Sequence, residues 1–133
     1  MEAVEIIASD IRTASFSSED FGHKREPTNG AFFLLDITAI SGVGASAQFS
    51  LEAKITTLAT EPYIEWFKET GVRSAVGRYG YYLIGAGPTS AAAPVGAGIH
   101  VVSNLLLPHK WRVTIIVAGT TPSVTASVQA HYM

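Results

Sequence analysis

Apolar and polar residues alternate at every second position over long stretches of this chain. From Ala47 to Thr56 the odd positions are Ala47, Phe49, Leu51, Ala53 and Ile55, and the even ones are Gln48, Ser50, Glu52, Lys54 and Thr56. From Ser123 to Tyr132 the even positions are apolar or aromatic (Val124, Ala126, Val128, Ala130, Tyr132), and the odd ones are Ser123, Thr125, Ser127, Gln129 and His131. Lys110 to Ala118 repeats the pattern, with Trp111, Val113, Ile115 and Val117 set against Lys110, Arg112 and Thr114. Successive side chains of a strand point to opposite faces, so each segment reads as a strand with one buried and one wet face.

The rest of the chain fits the same architecture. Ala31 to Ile40 opens with Phe32, Phe33, Leu34 and Leu35, apolar on both faces, and predicts a central strand. Tyr79 to Ile84 predicts another, with Tyr79, Tyr81 and Leu83 on one face. Val4 to Ala8 reads as an edge strand that Ile11 to Phe16 continues, and Ile99 to Leu107 as an extended segment closed by Pro108. Tyr63 to Glu69 is ambiguous: helical spacing groups Tyr63, Trp66 and Phe67, strand spacing groups Ile64 with Trp66, and the aromatic content favours a strand.

Between these lie the breaks. Ser41-Gly42-Val43-Gly44 predicts a turn into the next strand, and Gly119-Thr120-Thr121-Pro122 a tight turn into the last one. Ser17 to Gly30 is polar and reads as a loop or arm, while Gly85 to Gly98 is a long loop of small residues. About eight strands with Gly/Pro breaks predict an all-β fold, an antiparallel, jelly-roll-like β-sandwich. The expected organisation is a single domain, with an extended arm over 1–30 and the sandwich over 31–133.

Composition narrows the function. At 133 residues the chain is one domain. Charged residues make up 15%, against about 25% in an average soluble domain, a blandness suited to a subunit that buries its outside against neighbours. The net charge is -2 and there is no basic run, which argues against a nucleic-acid partner. The absence of cysteine removes disulfides, thiolate metal sites and thiol catalysis. The start, Met1-Glu2-Ala3-Val4-Glu5, is acidic where a signal peptide is basic, and no apolar stretch approaches the roughly 20 residues of a membrane span. Assembly without general secretory export, and no membrane partner, are the expectations.

Catalytic chemistry finds little footing. His23, His100, His109 and His131 share no metal-ligand spacing, and His131 falls on the polar face of the last strand. Asp36 interrupts an apolar strand and reads as an outer-face, strand-end residue rather than a buried acid. No G-x-S-x-G, P-loop or H-E-x-x-H motif is present, and Gly85-Ala86-Gly87-Pro88 does not continue as a dinucleotide fingerprint. Trp66, Phe67, Tyr79, Tyr81 and Tyr82 read as core or interface residues before they read as a sugar-stacking platform. Arg112 follows Trp111 and so points away from it, onto an outer face or a subunit contact. The chain is expected to be no enzyme and to hold no cofactor and no metal.

Three segments carry a family resemblance. Phe33-Leu34-Leu35-Asp36-Ile37-Thr38-Ala39-Ile40-Ser41-Gly42 resembles a "hydrophobic–Asp–Val–Thr–Ala" strand with its turn. Leu107-Pro108-His109-Lys110-Trp111-Arg112-Val113 resembles a "Leu-Pro-x-x-Trp-Arg-Val" signature, and Gly119-Thr120-Thr121-Pro122-Ser123-Val124-Thr125 a closing hairpin. Together with Arg12-Thr13-Ala14 they are similar to small structural proteins of tailed bacteriophages and prophages. Glu61 to Arg78 departs from that family's pattern, which has a Gly-Lys-Trp/Tyr-type strand there.

The resemblance implies a non-enzymatic virion protein, first of all a capsid decoration or cement protein. It would be made in the host cytoplasm, act on the capsid surface, and have the major capsid protein and copies of itself, as a trimer, for partners. Interface residues are then expected in the arm (Asp20, His23, Lys24, Arg25), in the small-residue loop (Pro88, Pro94) and at Arg112. Two other readings stay open: another virion part (a head–tail connector, a tail or fibre-base protein), or a carbohydrate-binding β-sandwich module.

Overall fold

The computed structural model describes residues 3–22, 30–54, 63–84, 99–103 and 110–132. They form an all-β fold of eight strands: β1 (Ala3–Arg12), β2 (Phe16–Ser17), β3 (Phe21–Gly22), β4 (Gly30–Lys54), β5 (Tyr63–Lys68), β6 (Gly77–Ile84), β7 (Ile99–Ser103) and β8 (Lys110–Tyr132). No helix of the described residues is long and apolar enough to cross a membrane.

Two very long strands organise everything. β4 and β8 pair antiparallel over nearly their whole length, from Ala31↔Tyr132 at one end to Ala53↔Trp111 at the other. The ribbon does not run straight. Phe33 and Phe49 lie on the same strand, about 50 Å apart had it stayed extended, yet their ring centroids are 5.5 Å apart. The ribbon is therefore folded in half, and its two halves pack face to face.

This corrects one sequence expectation. The segments at Ser41–Gly44 and Gly119–Pro122 are not hairpin turns, because neither brings its flanking strands into pairing. They pair with each other instead, through Ser41↔Ser123 and Val43↔Thr120, and form the corner of one continuous ladder. Register shifts on both sides of Val43 supply the bulges that bend it. The backbone there is left-handed at Gly42 (φ 111°), Gly44 (66°), Gly119 (122°) and Thr121 (45°).

The other strands attach to the folded ribbon. The first layer is β1, the C-terminal half of β8, the N-terminal half of β4, β6 and β7, in that order. The second layer is β2 and β3, then the N-terminal half of β8, the C-terminal half of β4, and β5. All pairs are antiparallel except β6 with β7, which run parallel from Tyr79↔Ile99 to Leu83↔Ser103. The fold is antiparallel, as expected, with this one parallel pair: the chain reaches β7 by a connection longer than a hairpin, which permits a parallel partner.

The alternation read from sequence sets the core. Ala31, Phe33, Leu35 and Ile37 of β4 face Ala47, Phe49 and Leu51 of its other half, all fully buried. Val124, Ala126, Val128 and Ala130 line one layer, and Trp111, Val113 and Ile115 the other. Tyr81 lies flat on Phe49 across the interface, with centroids 4.3 Å apart and planes at 10°. Trp111 meets Phe33 edge-on at 5.3 Å and stacks on Phe21 at 5.2 Å. Phe32 and Leu34, expected to be buried on a second face, are half-buried on the outside of the first layer.

The corner depends on missing side chains. A Cβ on Gly42 would sit 2.8 Å from the Thr121 carbonyl oxygen and 2.9 Å from Pro122 Cα, and one on Gly119 would sit 2.8 Å from Ala45 Cα. Gly44 has open space around it and only its φ to satisfy. Gly44→Ala should therefore cost about 1–2 kcal/mol, the price of a left-handed backbone alone. Gly42→Ala and Gly119→Ala should each cost more, at least about 2–3 kcal/mol, because backbone must also move. Urea unfolding midpoints of the three variants test this ranking; equal losses would mean that the close approach contributes nothing.

Candidate interaction surfaces

The outer face of the second layer carries a connected row of polar side chains. Glu52, Lys54, Arg112 and Thr114 stand on alternate, outward positions of β4 and β8, whose inward positions are buried, and Asp20 lies just before β3. Arg112 Nε donates to Glu52 Oε1 at 2.7 Å, and Thr114 Oγ1 donates to the same oxygen at 2.7 Å. Because Thr114 gives its proton to Glu52, the Ser17 hydroxyl 2.8 Å away donates to Thr114. The Arg112 guanidinium carbon lies 3.6 Å from the centre of the Tyr63 ring, a cation–π contact. The Tyr63 hydroxyl in turn donates to Asp20 Oδ1, and Lys54 Nζ pairs with Asp20 Oδ2 at 2.7 Å.

Two expected interface residues, Asp20 and Arg112, are thus brought together on either side of Tyr63. Arg112 lies on the outer face, as its place beside Trp111 requires, and its ion pair is within the chain. The hydrogen bonds from Lys54, then from Tyr63, hold the Asp20 carboxyl below its ordinary range. The same bond to Asp20 raises Lys54 and Tyr63. The other expected interface residues, His23, Lys24, Arg25, Pro88 and Pro94, lie outside the described residues.

The row anchors the N-terminal segment. The Val113 N–H donates to Ser18 Oγ at 3.0 Å and the Val117 N–H to Ser15 Oγ at 2.9 Å, while Ser18 N–H donates to the Val113 carbonyl at 2.8 Å. Serine hydroxyls stand in for backbone acceptors along the edge of β8, and the edge is closed. At the opposite edge β5 is a strand, as its aromatic content suggested. It pairs with β4 through a register shift beside Trp66, and leaves Ile64 and Trp66 exposed.

Among the described residues the only strongly buried charge lies between the layers. Glu69 follows β5, and its carbonyl and N–H are held by Gln48 Nε2 (2.7 Å) and the Phe49 carbonyl (3.0 Å). Its carboxylate accepts from the Tyr81 hydroxyl at 2.8 Å and pairs with Arg73, whose backbone bonds Ala47 in both directions at 2.8 Å. Burial first, then the negative Glu69 beside it, push the Tyr81 hydroxyl well above the ordinary phenol range. Nothing in the sequence singled out Glu69: it sits in Lys68-Glu69-Thr70, which reads as the wet end of a strand.

Asp36 lies on the outer face of the first layer, in mid-strand rather than at a strand end, with Arg78 Nε 3.9 Å from its Oδ2. His131 is on the same face, its ring 6.0 Å from that of Phe32. Among the described residues no three His, Cys, Asp or Glu side chains are grouped to hold a metal ion. The corner end of the sandwich is different in character. Ile11 (63% exposed), Val43 (79%), Val72 (55%) and Val76 (59%) are exposed apolar residues of the segments near it. Val43 is at the corner itself. Ile11 pairs with Thr125 just beyond it, and residues 69–76 cross from the Ala47↔Arg73 bridge to Gly77↔Ile37 at the same end.

No protein-family model, curated protein or solved structure matches the chain.

Two outcomes are expected from these contacts. Asp20 stabilises the docked arm when ionised, so its contribution is present above the ordinary aspartate value of 3.8 and is lost as pH falls below it. Asp20→Asn should raise amide exchange at residues 18–22 at neutral pH and leave the core strands unchanged; exchange altered uniformly would refute a local anchor. Tyr81 is stabilising when protonated, so its contribution is intact below its ordinary value of 10.0 and fades as pH rises above it. Tyr81→Phe should cost about 1–2 kcal/mol near neutrality, and the gap to the parent should hold up to about pH 10 and shrink above it. Urea unfolding on both sides of that pH is the measurement.

Proposed function

We propose that this protein is a non-enzymatic structural subunit of a tailed-bacteriophage virion, one that self-associates and attaches to the outer capsid lattice as a decoration protein. The observation that carries this reading is the apolar corner end, where Ile11, Val43, Val72 and Val76 are exposed from separate segments. Apolar residues gathered at one end of a small domain mark an interaction surface. The occupant we assign to it is a second copy of the chain. Contact between like apolar ends needs no charge complement, and it repeats around a symmetry axis.

The described parts of the segments that resemble the phage family support the same reading. Phe33 to Gly42, Lys110 to Val113 and Gly119 to Thr125 all lie on the β4–β8 ribbon, and the first and last pair through Ile40↔Val124 and Ala39↔Thr125. The resemblance therefore falls on the element that builds the sandwich and its corner. Weak contacts multiplied by lattice symmetry give strong attachment without a chemically special site.

The purified protein should sediment as a trimer. Val43→Asp with Val76→Asp should yield a monomer whose circular dichroism matches the parent, since both positions are exposed and cost little to change. The parent should co-sediment with expanded phage capsids at a copy number comparable with the major capsid protein. A parent that stays monomeric at high concentration and ignores capsids would overturn the reading.

A further inference from the structure

A second surface has a different chemistry from the apolar corner end. On the outer face of the first layer, Leu34, Asp36, Arg78, Ser127 and Gln129 line an open cavity of about 250 Å³. Three neighbouring strands supply them in register: Gln129 of β8 beside Leu34 of β4, then Ser127 of β8, Asp36 of β4 and Arg78 of β6 in one row. The floor is central, doubly paired sheet, so the groups are carried on a rigid base.

The lining mixes functions in a way that selects a ligand. Asp36 only accepts hydrogen bonds and Arg78 only donates them, whereas Gln129 and Ser127 do both. Arg78 is 72% exposed and its Nε is 3.9 Å from Asp36, too far for a tight bond, so each keeps capacity for a third party. An anion would meet the Asp36 carboxylate, and a cation would meet the Arg78 guanidinium. An apolar molecule would strip water from both and return nothing. A neutral molecule with neighbouring hydroxyls satisfies the whole set, with Leu34 left for its C–H face. The volume is below the 300–1,000 Å³ typical of drug-sized ligands and suits a single ring. One step along the same face, the half-buried Phe32 and Tyr82 rings stack at 4.5 Å, the chemistry on which a second sugar ring would rest.

The geometry points to a carbohydrate-binding site: the Asp36–Arg78–Gln129 cavity takes one sugar residue of a neutral glycan. Asp36 accepts from a pair of its hydroxyls, and Arg78 and Gln129 donate to their neighbours. The site lies on the outer face of the first layer, and none of its five lining residues is one of the four apolar residues assigned to self-association. It is independent of the capsid reading.

The test is titration of the isotope-labelled full-length protein with glucose, galactose, mannose and N-acetylglucosamine, and with inorganic phosphate, followed by amide shifts. At least one sugar should give saturable shifts centred on Leu34, Asp36, Arg78, Ser127 and Gln129. Asp36→Asn and Arg78→Ala should each weaken that sugar at least fivefold, and Glu65→Ala on the other layer should leave it unchanged. Arg78 is exposed, so its variant remains informative even if Asp36→Asn fails to fold. No saturable shift with any sugar, shifts that persist in Arg78→Ala, or phosphate binding more tightly than every sugar at the same amides would overturn the assignment.

Discussion

One fold in one ladder underlies the molecule: the β4–β8 ribbon bends back on itself at a corner where two backbones pass too closely for side chains. Because both layers are halves of the same ribbon, their contents cannot be chosen separately. Phe33 packs on Phe49 and on Trp111 because the corner lies midway between them along the ribbon. A slip of one residue in the ladder would send every inward side chain of a half to the surface. The buried apolar positions of β8 are odd before the corner (Trp111, Val113, Ile115) and even after it (Val124, Ala126, Val128), while those of β4 are odd on both sides of it. The bulges absorb that difference, so bending the ribbon and keeping its concave side apolar are one requirement.

The corner closes only one end of the sandwich. Along the flank, the layers are tied by a polar bond: Glu69, held to β4 by Gln48 and the Phe49 carbonyl, receives the hydroxyl of Tyr81 from the opposite layer. A buried carboxylate gains less than well-packed apolar side chains in net stability, but removing its partners leaves an uncompensated charge. Arg73 covers the other oxygen and lies over the Tyr79 ring at 5.1 Å. The tie thereby fixes the path of residues 69–76 over the edge, and with it the placement of Val72 and Val76 at the corner end.

Much of this architecture was legible from period-two alternation, because a strand half in and half out of a core has no other way to be written. Trp111, Val113, Ile115, Tyr81, Leu83, Ala47, Phe49, Leu51 and Ala53 were placed inside by that rule, and they are inside. The corner was legible only as a break. Gly42, Gly44 and Gly119 announce left-handed backbone, but a hairpin turn and a folded ribbon ask for the same glycines, and pairing across the chain decides between them. The parallel partner of β6 left no local mark, since strand direction is set by the connection. Glu69 was invisible for a related reason: its burial comes from Gln48, Arg73 and Tyr81 arriving from elsewhere. Asp20 and Arg112 were picked out singly, and their meeting at Tyr63 depends on β3 and β5 lying on opposite sides of the ribbon.

Where the charges go decides what the outside can recognise. Lys54, Lys68, Arg73, Arg78 and Arg112 each face a carboxylate of their own chain, and Arg12 lies 4.4 Å over the Phe16 ring. Charges neutralised in place give short-ranged fields and little long-range steering. Such a surface is poorly suited to capturing a polyanion and well suited to contacts judged by shape, at the apolar corner, or by hydrogen bonding, at the Asp36–Arg78 cavity. The tight pairs differ from the Arg78–Asp36 pair in this respect. Arg112–Glu52 and Lys54–Asp20, both at 2.7 Å, are spent on anchoring the arm, whereas Arg78–Asp36 at 3.9 Å anchors nothing and keeps its hydrogen-bonding capacity. The looseness of that pair, together with the cavity it lines, is the physical reason to look for a ligand there and not along the Tyr63 row.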